Sequence, residues 1–252
     1  MATFGPADDL TGAEFRDVSL SGARFVGVSL IGAVVRGSDV DGLEIESPWL
    51  LEGPGTLLVN GVDVAPLVDA ELDRRFPGRA RRRAEDPDGV RAAWAALEAA
   101  WDGVLARAAT LPDGAVDVSV DGEWSFAQTL RHLVLATDLW LGQAVLGLEK
   151  PFHPLGLTNP EAADEGFDMS VLTDVPPTYD EVLAARASRV ALVRDFLATA
   201  TQEMLDVPRR NPWAPEHVES TRSCVGTILD EEWEHLRYAV RDLDALTRES
   251  VA

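Results

Sequence analysis

Three side chains carry the chemistry this sequence can offer: His132, Glu231 and His235. The chain has four histidines among 252 residues, at 132, 153, 217 and 235, and two of them fall inside long helical patterns. Glu231 and His235 are four positions apart, so on a helix they stack on one face a turn apart. Ile228 and Ala239 extend that stripe and set the pair at the edge of an apolar face. His132 lies on another predicted helix, between Gln128 and Ala136, where a bundle brings it opposite the pair. Two imidazole nitrogens and a carboxylate oxygen suit zinc, and three protein ligands leave a fourth position open, as in catalytic zinc sites. The same donors suit non-haem iron, and the Glu–His spacing taken alone also suits an ion pair on a solvated helix edge. Cys224, two turns before Glu231, reads as a packed small hydrophobe, with a redox or fourth-ligand role as the alternative. His153 and His217 sit in loops with prolines nearby and are expected at solvent. Trp94, Trp101, Trp140 and Trp233 are expected in the core, and Trp213 at a pocket mouth.

Four helices must position the three donors. Apolar residues at Val90, Trp94, Leu97, Trp101 and Leu105 form one stripe over 88–109. A second helix is predicted over 125–148, with Ser125 as N-cap, Gln128 completing a capping box and Trp124 as the preceding apolar residue. A third follows Pro176-Pro177 over 178–204, and a fourth covers 220–248. Residues 149–177 form a long crossing between the second and third, and segments of that length are usually functional or wrap a surface. Four helices with one long crossover make a bundle.

The N-terminus has a different rhythm. Leu10, Phe15, Leu20, Phe25, Leu30, Val35, Val40 and Ile45 recur every fifth residue, with small or β-branched residues two positions before most of them. Period five fits neither a helix nor a flat strand. It fits a square-sectioned coil with one large side chain pointing inward per side. Residues 6–50 thus resemble the pentapeptide-repeat family, a right-handed quadrilateral β-helix. Eight repeats at four per turn give about two coils, which bury little and need a cap. Gly53-Pro54-Gly55 breaks the period, and 57–64 reads as a hairpin around Asn60-Gly61. A short helix near 66–75 leads into Arg74, Arg75, Arg79, Arg81, Arg82 and Arg83, a solvated linker or an intramolecular salt-bridge face. The expected fold is multidomain α and β: the repeat β-helix with its hairpin cap at 1–65, a helical, arginine-rich linker at 66–86 and the four-helix bundle at 87–252.

The run from Trp124 to Leu133, followed far downstream by Glu231-Glu232-Trp233-Glu234-His235, resembles the DinB-like bundle superfamily. The resemblance places a metal ligand on the second helix and a pair four apart on the fourth, which match His132, Glu231 and His235. The His, Glu, His set is similar to that of mycothiol-dependent maleylpyruvate isomerase and its relatives. It implies a divalent metal, Zn2+ first with Ni2+ or Fe2+ as alternatives. It also implies a low-molecular-weight thiol such as mycothiol, which coordinates the metal, loses its proton and attacks a small electrophile. The activity implied is thiol S-transfer or thiol-dependent isomerisation; no separate catalytic base and no substrate-binding residue carries over.

Composition bounds the alternatives. A net charge of −21 argues against a nucleic-acid surface. Residues 1–60 carry nine acidic and three basic residues, which raises imitation of duplex DNA, but two coils are short for that role and a docking or scaffold role suits them better. One cysteine cannot form an internal disulfide, and no secretory signal or membrane span is read. The expected setting is the cytoplasm, with a thiol and an electrophile as partners, no nucleic acid and no membrane; homodimerisation is left open. The competing function is a non-catalytic, metal-stabilised binding protein whose acidic repeat segment makes protein–protein contacts.

Overall fold

The computed structural model describes residues 3–5, 7–51, 55–163 and 166–249. By contacts the chain divides into two units, Met1–Glu46 and Ser47–Ala252. Gly53 and Pro54, expected to break the repeat, lie outside the described residues.

The first unit keeps the five-residue rhythm as turns. Tight turns close at Leu10–Ala13, Leu20–Ala23, Leu30–Ala33 and Val40–Leu43, each through an N–H donating to the carbonyl three residues back at 2.9–3.0 Å. Gly12, Gly22, Gly32 and Gly42 hold φ of +72 to +75° in these turns, a region L side chains avoid. That requirement explains why glycine recurs in every second repeat. The expected closed β-helix is not what the described residues show: no strand forms in this unit. The large side chains expected to point inward, from Leu10 to Ile45, are 45–69% exposed. Two coils supply too few neighbours to bury a central row.

The second unit opens with the hairpin of β1 (Leu58–Val59) and β2 (Val62–Asp63), in which Val59 faces Val62. The two-residue turn places Asn60 and Gly61 at φ +49 and +82°, the Asn-Gly geometry that matches strand twist. Helix α1 (Ala65–Arg75) follows, then a tight helical turn at Arg79–Arg83. The arginine cluster is an intramolecular salt-bridge face. Arg79, 2% exposed, donates from Nη1 to Asp69 and Asp73, both at 2.7 Å. Arg83 bridges the same two carboxylates, and Arg82 reaches Asp230 at 2.8 Å. Gly78 makes the close approach possible, because a Cβ there would sit 2.8 Å from the Cβ of Ala96.

The bundle comprises α2 (Pro87–Ala108), α3 (Phe126–Thr137), α4 (Tyr179–Thr199) and α6 (Thr221–Glu249), with the single-turn α5 (Gln202–Leu205) after α4. Asp86 caps α2 ahead of Pro87. Capping boxes start α3, through Ser125 and Gln128, and α4, through Thr178 and Glu181. Helix α3 packs between α4 and α6, and α2 closes the ring between the same two. Leu97, Trp101, Leu130, Leu133, Val193, Leu197, Ile228, Leu229 and Trp233 fill the centre.

Three features depart from the sequence reading. The third helix stops at Thr199 rather than 204, because Ala200 turns extended and Thr201 caps α5. Strands β3 (Pro208–Arg210) and β4 (Val218–Ser220) pair between α5 and α6. After α3 the chain continues as a π-helical segment, Asp138–Val145, with Leu146 N–H donating to the carbonyl of Leu141. There Gly142 lets the crossing lie close, since a Cβ would be 2.7 Å from the Cβ of Pro151.

The Asp69 cluster sets an acid limit on this unit. Burial alone would raise the Asp69 carboxyl, but Arg79, Arg83 and Arg82 bring it down to about 2. The unfolded value is about 3.9, so the stabilisation is complete above that pH and is lost as pH falls toward 2. Asp69→Asn should cost about 1.5–3 kcal/mol at neutral pH and flatten the acid-unfolding profile between pH 4 and 2. Denaturant titrations of both proteins at several pH values measure this.

Candidate metal centre

Antiparallel packing of α3 against α6 brings the three predicted donors together. Ligand atoms of His132, Glu231 and His235 all lie within 4.8 Å of one another. His132 Nε2 is 3.4 Å and His235 Nε2 3.3 Å from the same oxygen, Glu231 Oε2. A charge-assisted hydrogen bond between such groups is ordinarily about 2.7–2.9 Å. Ligands at about 2.0–2.1 Å from one tetrahedral ion sit about 3.3–3.4 Å apart. The separations therefore match the edges of a coordination tetrahedron better than they match paired hydrogen bonds. The donor set fits a divalent ion.

The rest of the site prepares these groups. Nδ1 of His132 is 3.2 Å from the carbonyl of Leu157. A proton on Nδ1 donated to that carbonyl leaves the Nε2 lone pair facing Glu231, which is how ligating imidazoles are usually oriented. Leu157 N–H in turn donates to the Arg131 carbonyl at 3.2 Å, and Arg131 Nε donates to the Leu155 carbonyl at 2.9 Å. Residues 155–157 of the crossing thus form a strap over this stretch of α3.

Trp124 covers the imidazoles, its ring centre 4.7 Å from that of His132 and 6.1 Å from that of His235. Tyr238 meets His235 edge-on at 5.7 Å and stacks beneath Arg237 at 4.4 Å. Burial would raise the Glu231 carboxyl, but the adjacent His132 and His235 rings hold it well below the usual carboxylate range. Burial pushes His235 down, opposed by Glu231. A deprotonated carboxylate and a neutral imidazole are the forms that bind metal.

Two further carboxylates are buried in the bundle. Glu232, fully buried, pairs with the buried Arg186 of α4 at 2.5 Å, and Arg186 lies 5.7 Å from the Trp101 ring. Burial pushes the Glu232 carboxyl up, against the pull of Arg186. Asp138, 1% exposed, accepts from Arg189 Nε at 2.7 Å and from the His153 backbone N–H at 2.7 Å. His153 is therefore half-buried, contrary to the expectation of a solvent position: its Nδ1 accepts from Leu155 N–H at 3.1 Å as the crossing folds onto Asp138. His217 is exposed. Cys224 is wholly buried in the core, with its thiol pushed up to about 11 by burial, and is outside the donor group. Trp94, Trp101 and Trp233 are buried in the core and Trp140 is partly buried against it. Trp213 is 40% exposed, its ring 6.2 Å from Phe167.

Sequence reasoning missed Trp124 and Tyr238 as walls of the site. Tyr238 carried a signal, three residues after His235 and so on its face. Trp124 was read only as the apolar residue ahead of the cap. The Leu157 carbonyl carried none. Two surface concavities, one lined by Arg107, Asp244, Thr247 and Arg248 and the other by Gln143, Ala144 and residues 208–212, are not lined by the triad.

A four-helix bundle with two histidines and a glutamate converging between two antiparallel helices defines a class of metal-binding bundle proteins. The family model described as the DinB superfamily matches residues 96–239, more than half of the chain, and the chain belongs to that superfamily. Eight pentapeptide repeats match over residues 9–42. No curated protein and no solved structure gives a significant match.

The Arg186–Glu232 pair tests how far the bundle depends on compensated charge. Arg186→Met leaves Glu232 buried without its cation and should cost about 3–5 kcal/mol, while a double apolar replacement should restore most of the loss. Urea unfolding of the two variants reports both values. Equal stability of the single variant and the parent would show that the pair contributes nothing.

Proposed function

We propose that the chain holds one divalent metal ion, zinc in the first instance, through His132, Glu231 and His235, and uses it to activate a low-molecular-weight thiol. The observation that supports this most is the pair of 3.3 and 3.4 Å separations about Glu231 Oε2, the edges expected of tetrahedral coordination. An ion bound there lowers the pKa of a coordinated thiol or water toward neutrality. The chain's own groups perform the remaining tasks. Glu231 supplies the negative charge, the Leu157 carbonyl orients His132, and Trp124 keeps water from one side of the imidazoles. Three donors leave room for a thiol such as mycothiol, which the activity transfers to a small electrophile or uses in isomerisation.

The second reading is a metal-stabilised scaffold in which the acidic repeat segment docks a protein. The row of exposed apolar side chains from Leu10 to Ile45 favours that use of the segment.

Untagged protein should retain about one equivalent of metal, and His132→Ala, Glu231→Gln and His235→Ala should each lower affinity by at least tenfold. Affinity should fall as pH drops through the imidazole range, because protons compete for the ligands. The depressed pKa of His235 carries the loss to a lower pH than a free imidazole, near 6.5, would give. Elemental analysis and competition with a chromophoric chelator measure both. Metal-loaded protein should conjugate mycothiol or bacillithiol to a bimane, and chelation should abolish the conjugation. Substoichiometric metal that His132→Ala leaves unchanged would remove the proposal; metal without thiol binding would leave the scaffold.

A further inference from the structure

The two imidazoles of the triad are held by different means. His132 is tethered at Nδ1, 3.2 Å from the Leu157 carbonyl. No such tether reaches Nδ1 of His235 among the described residues; its Nε2 lies toward Glu231, and the neighbours of its ring are aromatic. Trp124 stacks on it with 6.1 Å between centres and 21° between planes, and Tyr238 meets it edge-on at 5.7 Å. A ligating imidazole is ordinarily oriented by a hydrogen bond at its second nitrogen. At His235 that task falls to the packing of Trp124 and Tyr238.

Trp124 is in turn fixed from both sides. After it Ser125 caps α3. Before it Glu123 closes a tight turn, its N–H donating to the Val120 carbonyl at 3.0 Å. Asp121 and Gly122 in that turn are both left-handed, at φ +53 and +80°, the geometry of a two-residue reversal. The Glu123 carboxylate accepts from Arg241 Nη2 of α6 at 2.5 Å, and the Arg241 guanidinium lies 5.2 Å from the centre of the Tyr238 ring. His235, Tyr238 and Arg241 follow one another at three-residue steps, so each adjoins the next on the surface of α6. The contacts close a circuit from His235 to Trp124, along the backbone to Glu123, across to Arg241 and back through Tyr238. The Arg241 and Glu123 side chains are 32% and 51% exposed, and an ion pair at such a surface adds little to stability. Its consequence lies in what it holds.

We propose that the Glu123–Arg241 ion pair is a positioning device for the metal centre, holding Trp124 stacked against His235 so that the imidazole keeps the plane in which Nε2 faces Glu231. The inference rests on the metal reading above for its consequence, and on the ring geometry for itself. Neither Glu123 nor Arg241 is among the three donors; both act through Trp124.

The test uses the full chain. Zinc affinity is measured by chelator competition, and the His235 ring protons are followed by NMR in metal-free protein, where stacking on Trp124 displaces their resonances. Glu123→Gln should weaken zinc binding by about two- to fivefold, the range a half-exposed ion pair can transmit. Trp124→Ala should weaken it by about tenfold or more, as for a lost outer partner of a ligating histidine. In the Trp124→Ala background Glu123→Gln should add nothing, because the pair acts through that ring. Asp244→Asn is the control: it removes the Arg107–Asp244 pair, which also ties α6 to another element with side chains 34% and 51% exposed, and should leave zinc affinity unchanged. The His235 resonances should move in Glu123→Gln and Trp124→Ala and stay in place in Asp244→Asn. Unmoved resonances in Glu123→Gln, an undiminished Glu123→Gln effect in the Trp124→Ala background, or an equal loss of zinc affinity in Asp244→Asn overturns the proposal. Resonances that move as expected in a protein whose parent binds no zinc would keep the ion pair's hold on the ring and remove the metal reading, so the two failures are distinct.

Discussion

A carboxylate taken out of water must be met by positive charge or by hydrogen-bond donors, and that constraint organises this bundle. Three of the acidic side chains wholly or partly inside it fasten different elements together. Glu231, a turn from His235 on α6, joins that helix to α3 through the His132 imidazole. Its sequence neighbour Glu232 joins α6 to α4 through Arg186. Asp138 joins the end of α3 to α4 through Arg189 and to the crossing through the His153 amide. Apolar packing supplies most of the driving force, yet it is nearly indifferent to small slides and rotations. Charged pairs are not. Glu231 and Glu232 stand about 100° apart around α6, so one orientation of that helix serves both.

The long crossing is more than a connection. From Pro151 to Leu157 it is fixed to α3 by a close carbon contact at Gly142, by Asp138, and by the exchanges between Arg131, His132 and residues 155–157. The last of these attachments reaches His132 itself, at Nδ1. A segment whose carbonyl meets the His132 imidazole and which also holds the neighbouring arginine belongs to the candidate site, although none of its side chains is among the three donors.

Much of this was legible in the sequence, for identifiable reasons. Ser125 with Gln128 marks the start of α3 through local hydrogen bonding, and Pro176-Pro177 marks the approach to α4. The four-residue spacing of Glu231 and His235 places both on one face whatever the tertiary packing. What escaped depended on contacts distant in sequence or on the backbone itself. Leu157 acts through its carbonyl, which every residue possesses. The β3–β4 pair escaped because Pro208-Arg209-Arg210 has no apolar alternation. His153 looked like a loop histidine until the loop was seen folded onto Asp138. The five-residue repeat was visible and its glycine turns follow from it, but periodicity does not say whether a row of side chains finds enough neighbours to be covered.

The widened turn at Asp138–Val145 has a consequence for how the helix can change over evolutionary time. A π turn accommodates one residue more than an α turn, so a counterpart with a plain helix here would carry one residue fewer between His132 and the end of the segment. Losing that residue would swing everything beyond it by roughly 100°, turning Gly142 away from Pro151 and replacing it there with a side chain. A single-residue deletion here would therefore disturb the helix and the seat of the crossing segment together.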